Sequence, residues 1–285
     1  MRGASRASLA MDRTRSLLLA AALAAVASLG VAGARARDAH PIAESRSGVA
    51  GEARAAERGG FGADPRPVTL GPCPDGMALV EGDSCPRVDQ RCLRWMDPPG
   101  KFHEYRCAQY ARPARCAAPR VHKRFCIDRR ERSENASGLP LNMQSWSDAK
   151  RACGAAGARV CLESEWTFAC EGEQLRPYPY GYSREARACN ADRTDLLLPA
   201  NPRRLKDSRE RSGSHPDCMS PFGVLDMAGN VAEWVSVDGV PEGSVVVQKG
   251  NWWQPGKHAC RDAQAGHDRF YRGTETGFRC CASAE

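Results

Sequence analysis

Aromatic side chains make up only 7% of this 285-residue chain, so any core it builds is short of the large apolar surfaces that usually dominate a fold. No segment beyond residue 36 is apolar for long enough to cross a bilayer, which takes about 20 residues. A mean hydropathy of -0.52 with 26% charged residues fits a chain folded in water. No C-x2-C or H-x3-H spacing occurs, which removes the common zinc arrangements despite fourteen cysteines. No G-x-G-x-x-G or P-loop is present, which removes the usual dinucleotide and nucleotide-phosphate sites. Lys and Arg outnumber Asp and Glu by 41 to 34, but five arginines (Arg2, Arg6, Arg13, Arg15, Arg35) against Asp12 put four of the seven excess charges before residue 37. No basic face interleaved with aromatics remains, so nucleic acid is not an expected partner.

What is there begins with an export pattern. A basic region ends at Arg13-Thr14-Arg15, an apolar run follows from Leu17 to Ala32, and small residues stand at Ala34-Arg35-Ala36. This predicts a signal peptide over 1–36, cut after Ala36 or Ala34, with Met11 as an alternative start and an uncleaved anchor as the competing reading. Residues 37–70 are rich in Gly, Ala, Arg, Glu and Pro without apolar periodicity and read as a flexible linker to a domain over 71–285. All fourteen cysteines lie in that domain. An even count in an exported chain points to disulfides in an oxidising compartment, periplasmic or extracellular. Each bridge contributes about 2–4 kcal/mol, enough to offset an aromatic-poor core. Six of the cysteines fall within 73–126, so that segment has the means to close three bridges by itself.

Ser145-Trp146-Ser147-Asp148 has the form of a capping box and predicts a helix start, with Trp146, Ala149, Cys153 and Ala156 on one face and an end near Gly154 and Gly157. A second short helix is expected over Glu163–Cys170. Met77–Val80, Gly243–Gln248 and Gly277–Cys280 read as short strands, and 177–223 is punctuated by turn residues. Two helices among scattered strands predict an irregular, disulfide-rich α+β domain and no parallel βαβ sheet.

Four segments, in order, resemble the formylglycine-generating enzyme (sulfatase-modifying factor) family: Ser145-Trp146-Ser147-Asp148-Ala149, Arg159 to Trp166 (RVCLESEW), Tyr178-Pro179-Tyr180-Gly181, and Gly223 to Trp234 (GVLDMAGNVAEW). A closing Gly277-Phe278-Arg279-Cys280 matches the family's last strand. The likeness runs from about Cys73 to Cys281 and is weaker before Ser145. It implies a mixed α/β domain with little regular structure, related to the C-type lectin-like fold.

The resemblance also implies a structural calcium on Asp226, Gly229, Val231 and Glu233, hard oxygen donors that suit this ion. Without it, Gly229-Asn230 reads as a turn and the two acids as solvated or capping. A second, weaker calcium set falls on Asn190 and Asp207. Among the cysteines, the resemblance pairs Cys153 with Cys280 or Cys281 and Cys170 with Cys260. Cys161, in place of the family's usual proline, takes the other member of the 280/281 couple, and Cys189 with Cys218 is left to staple the loop between them.

The family's activity is oxidation of a protein cysteine to formylglycine by dioxygen, with Cu(I) between two thiolates, a pairing a soft monovalent ion prefers. Here the segment that should carry those thiols, Gln248 to Arg261, holds only Cys260, the expected partner of Cys170. Asn251 replaces the family's Ser, Lys249 a Gly, and Ala232 a Trp. Copper is therefore not expected. A rebuilt site on His258 and His267 competes with a scatter of six unrelated histidines. Asn251, Trp252, Trp253, His258 and Arg261 are the cleft candidates, and the Trp pair flanked by Lys249, Lys257 and Arg261 reads as an aromatic and basic patch for a peptide, protein or glycan. The competing reading places one Trp in the core and the charges in water. The expectation is an exported, monomeric binding or accessory module that has lost the oxidase chemistry. An active oxidase and a structural envelope domain are the alternatives.

Overall fold

The computed structural model describes residues 71–133 and 137–285. The expected signal and linker lie outside the described residues. The Cys-rich segment contributes β1 (Met77–Ser84), β2 (Val88–Asp89), β3 (Cys92–Trp95), β4 (Cys107–Tyr110), β5 (Arg115–Cys116) and β6 (Val121–Asp128). The middle contributes α1 (Trp146–Ala155), β7 (Arg159–Val160), α2 (Glu163–Glu171), β8 (Leu197–Leu198) and β9 (Asn201–Leu205). The C-terminal part adds β10 (Ala232–Ser236), β11 (Val246–Lys249), β12 (Ala263–Gln264), β13 (Thr276–Gly277) and β14 (Cys280–Ser283). The result is α+β, mostly short strands with two helices. No described helix is long and apolar enough to cross a membrane.

Residues 73–126 fold back on themselves. β1 pairs with β6, β2 with β5 and β3 with β4, all antiparallel, giving a nested finger. Three equally nested bridges, Cys73–Cys126, Cys85–Cys116 and Cys92–Cys107, staple it from base to tip. Such short ladders bury little apolar surface, and crosslinks supply the restraint a core would otherwise give.

Two four-stranded sheets carry the rest, in the orders β1-β6-β14-β7 and β12-β11-β10-β13. Helix α2 lies against β6 of the first and β10 and β11 of the second. Its Trp166 and Phe168 are wholly buried with Ile127, Met227 and Val247, and each such side chain stabilises by about 1.5–3 kcal/mol. Helix α1 starts as expected: Ser145 Oγ accepts from the Asp148 amide at 3.1 Å, and the Ser145 amide donates to the Asp148 carboxylate at 3.0 Å. Trp146, Ala149 and Cys153 face inward, and Trp146 Nε1 donates to Ser236 Oγ at 3.1 Å. Ala156 falls beyond the helix and is exposed, because the chain turns at Gly157, whose φ is +69°.

Two strand expectations are corrected. Gly277–Cys280 is not one strand: β13 joins β10 in the second sheet and β14 joins β6 in the first, with Phe278 and Arg279 crossing between them. The break lets Arg279 reach a buried carboxylate instead of staying in a ladder. Gly243–Val245 precedes the strand, which begins at Val246, because Gly243 has φ +72° and a Cβ there would lie 2.5 Å from the Trp146 ring. The remaining bridges are Cys153–Cys280, Cys161–Cys281, Cys170–Cys260 and Cys189–Cys218, and no described cysteine is free.

Candidate functional site

Strand β11 delivers the chain into Gly250 and Asn251, both in left-handed backbone (φ +77° and +58°), which turns the next residues back into the molecule. Asn251 tolerates this and closes the turn itself: its Oδ1 accepts from the Trp252 amide at 2.9 Å and its Nδ2 donates to the Lys257 carbonyl at 2.9 Å. Trp252 and Trp253 then pack edge to face, centroids 4.9 Å apart, against Val231 and Leu196. The sequence placed this pair on a binding patch. The structure buries both rings, Trp253 completely.

Of the three flanking cations, Lys249 and Arg261 are committed inward, whereas Lys257 is exposed. Lys249 is 1% exposed, lies 5.6 Å from the Trp166 ring centroid and reaches Glu163 at 3.3 Å, and burial pushes its ammonium down. Arg261 grips the buried Glu171 through Nε at 2.8 Å and Nη2 at 2.5 Å, and also donates to the Cys85 carbonyl, tying the C-terminal loop to the finger. His267 stacks on Tyr271 on an exposed loop. Among the described residues no cluster of three or more His, Cys, Asp or Glu is arranged to hold a metal.

His258 is 2% exposed, with Nδ1 3.0 Å from the Gly250 carbonyl and Nε2 3.1 Å from that of Gln254. Burial, aided by Arg184, pushes its imidazolium down to about 4 although both carbonyls favour the charged form. The unfolded imidazole titrates near 6.5, so the folded state binds this proton less readily. Its contribution is complete above pH 6.5 and is lost as pH falls toward 4, a difference of about 3 kcal/mol. The stability advantage of the protein over His258→Asn is expected to shrink by that amount between about pH 7 and pH 4 in urea titrations. An advantage that does not change with pH contradicts it.

Beneath the strand end lies a cavity of about 420 Å³ lined by Tyr105, Gln248, Asn251, Gln254, Lys257 and Asp262, among others. Tyr105 comes from the loop between β3 and β4, so the finger forms one wall. A smaller space of about 110 Å³ shares Tyr105, Lys257 and Asp262 and continues toward Trp95, Tyr110 and Tyr178. Two of its lining residues, Arg106 and Arg184, belong to a ladder of alternating charge: Asp97 with Arg106 at 2.6 Å, Arg106 with Asp192 at 3.8 Å, and Asp192 with Arg184 at 2.6 Å. Gln248 is 1% exposed, and neither atom of its carboxamide has a hydrogen-bond partner. Neither Gln248 nor Tyr105 is signalled by the sequence, since each depends on which loop closes over β11.

The residues named for the stronger calcium set are all buried. Asp226, in left-handed backbone (φ +59°), accepts from the Gly213 amide at 2.5 Å. Glu233 takes Arg279 Nε and Nη2, both at 2.5 Å, and Trp166 Nε1 at 2.7 Å. Glu131, absent from the sequence reading because Arg129-Arg130-Glu131-Arg132 looks like a solvated charge run, is also buried here. It accepts from Asn230 Nδ2 at 2.6 Å, Ser212 Oγ at 3.0 Å and the Val231 amide at 3.2 Å. Three buried carboxylates thus share one guanidinium. Burial and the negative field of Asp226 and Glu233 raise Glu131 well above the usual carboxylate range, and burial raises Asp226.

The weaker set adjoins it. Asn190 Nδ2 donates to the Ser208 carbonyl at 2.8 Å and to Asn230 Oδ1 at 3.0 Å, leaving Asn190 Oδ1 and Ser208 Oγ buried without partners. Gly229 has φ +85° and a Cβ there would lie 2.2 Å from the Asn190 carbonyl oxygen, so only glycine lets the two segments touch. Asp207 stays half-exposed and is held by Arg209 at 2.8 Å.

Residues 99–284 match the model of the sulfatase-modifying factor enzyme 1-like domain. The chain is 30% identical over 158 residues to the inactive C-alpha-formylglycine-generating enzyme 2 of Mus musculus, covering 51% of this chain and 50% of that protein. It is 26% identical over 165 residues to the formylglycine-generating enzyme of Bos taurus, covering 50% of this chain and 44% of that one. The chain thus spans about half the length of the curated relatives it matches. Among solved structures it is similar to CarF (TM-score 0.49, 14% identity, 73% of this chain and 98% of that one) and to PvdO from Pseudomonas aeruginosa (TM-score 0.42, 19% identity, 73% and 94%). With the family model covering well over half of its length, the chain belongs to the sulfatase-modifying factor enzyme 1-like (formylglycine-generating enzyme-like) family.

Proposed function

We propose that this protein is a non-oxidising member of its family, exported to an oxidising compartment, where it works as a monomeric binding or accessory module through the cavity beside β11. One observation carries the reading. All fourteen cysteines are locked in seven bridges, and the loop that follows β11 holds only Cys260, wholly buried and bonded to Cys170. A Cu(I) centre of the family's kind requires two thiolates and an open position for a third sulfur, and a disulfide sulfur offers no thiolate. Similarity to a relative described as inactive points the same way. Seven bridges agree with an exported setting, where they persist. Thiol titration of denatured, non-reduced protein should give zero, and incubation with Cu(I), oxygen and a C-x-P-x-R peptide should leave the peptide unoxidised. Two reactive thiols with copper-dependent oxygen uptake would falsify the reading.

Calcium belongs to the same proposal as a structural ion. The donor chemistry fits: carboxylates outnumber the guanidinium at Asp226, and orphaned oxygens stand at Asn190 and Ser208. Asp226, Glu131 and the carbonyls of Gly229 and Val231 would hold one ion, with Glu233 remaining on Arg279. Asn190 is the anchor of the weaker set, with Asp207 released from Arg209. An ion present at about 100 times its dissociation constant stabilises by about 2.7 kcal/mol, and for a domain of this size that raises Tm by roughly 5–10 °C. Calcium should produce that rise and magnesium should not, because magnesium demands a tighter octahedral shell. An unchanged Tm with calcium and with chelator removes the ion from the proposal.

A further inference from the structure

Gln248 sits at the centre of its sheet, opposite Trp234 of β10 on one side and Gln264 of β12 on the other. Its main chain is satisfied by these ladders, but its carboxamide is not: Nε2 and Oε1 are both buried and both lack a partner. Leaving such a group unpaired costs about 1–3 kcal/mol per atom, so buried amides without partners are rare and call for an occupant. Gln248 is one of the residues lining the cavity of about 420 Å³, a size within the range of small-molecule sites.

We propose that this cavity binds an N-acetylated sugar, with Gln248 as its specificity-determining residue, an inference that rests on the binding-module reading and names the ligand class of that site. The carboxamide presents a donor and an acceptor side by side, and needs a ligand offering the complement within a few ångströms. An acetamido group beside ring hydroxyls supplies both from one residue: its carbonyl accepts from Nε2, and an adjacent N–H or hydroxyl donates to Oε1. The remaining walls suit a sugar better than a peptide. Asn251, Gln254, Lys257 and Asp262 provide polar groups for hydroxyls, and Ala263 provides a small apolar contact of the kind a methyl group needs. No large aliphatic side chain lines this cavity to take a peptide's apolar side chain. Tyr105, 46% exposed, stands at the mouth with Lys257 Nζ 5.2 Å from its ring centroid, a platform for a pyranose face.

The test uses the full chain with its bridges intact and isothermal titration of three probes: the β1-4 trimer of N-acetylglucosamine, cellotriose, which has a hydroxyl in place of each acetamido group, and N-acetylalanine methylamide as a peptide-amide probe. The acetylated trimer should bind at least tenfold more tightly than cellotriose, a difference of about 1.4 kcal/mol. Gln248→Glu, of the same shape but without the Nε2 donor, should erase that preference. Tyr105→Ala, at an exposed position, should weaken the acetylated trimer at least fivefold with Tm unchanged, and it decides the matter should the buried variant fail to fold. Equal binding of the two trimers, no binding of either, or tighter binding of the peptide amide overturns the assignment. If no sugar binds while the thiol count stays at zero and the peptide stays unoxidised, only the ligand class falls. Copper-dependent oxidation would remove the module reading itself.

Discussion

Arg279→Met is expected to destabilise the protein by about 4–5 kcal/mol at pH 7, a large share of the total for a domain of this size. The guanidinium is fully buried, holds both oxygens of Glu233, and also donates to the carbonyls of Asp128 and Leu225. In calcium-free protein its loss leaves Glu131, Asp226 and Glu233 facing one another, with His215 beside Asp226 the remaining basic group. Glu131 and Asp226 already have raised pKa values, so in the folded state they take up protons before their unfolded counterparts. A group of that kind adds stability at low pH and loses it as pH rises through its folded pKa. The cost of Arg279→Met is therefore expected to be smaller at pH 5 than at pH 7. Glu233→Gln should cost less than Arg279→Met at pH 7, since Arg279 then still faces two acids. Urea unfolding of both variants at the two pH values is the measurement. A loss below about 1 kcal/mol, or a loss that is the same at both pH values, would show that the cluster is not balanced by this one cation.

The second large effect comes from the twin bridges. Cys153–Cys280 and Cys161–Cys281 close loops of 127 and 120 residues, each worth about 5 kcal/mol if it stood alone in the chain-entropy model. They do not stand alone. With one intact, the other closes a ring of only about ten residues, because Cys153 and Cys161 are eight positions apart and Cys280 and Cys281 are adjacent. Such a ring is worth about 2.7 kcal/mol. Replacing both partners of either bridge by Ala should thus cost about 2.7 kcal/mol, and removing both about 6–7, more than the sum of the two, because Cys170–Cys260 stays in place and leaves a ring of about 32 residues for the first of them to close. Additive losses in denaturant titrations would mean that the bridges restrain the unfolded chain independently.

The expectations that the structure tests succeeded or failed for a local or a distant reason. The capping box at Ser145 and Asp148 was readable because its partners lie within four residues, and helix α1 begins there. The Glu163 helix, the family segments and the even cysteine count were readable for the same reason: each is a short pattern or a sum over composition. The Trp252-Trp253 pair reads as a surface patch in one dimension, yet lies inside because the chain reverses at Gly250 and Asn251 and tucks the rings against Val231 and Leu196. Lys249 reads as a surface cation, yet is buried beside Trp166 and Glu163. Glu131 lies some 95 to 102 positions from Asp226 and Glu233, and no spacing rule joins groups so far apart.

The sequence by itself determined the family, the α+β class, the helix starts and an even cysteine count able to crosslink the domain throughout, because these follow from nearest neighbours and counts. Tertiary structure alone decided that Cys153 takes Cys280 and Cys161 takes Cys281, that Arg279 leaves its ladder for Glu233, and that Gln248 faces a cavity with its carboxamide unpaired. The physical reason is that charge balance, burial and hydrogen-bond satisfaction are set by whatever the fold brings within a few ångströms, and chain order does not encode that distance.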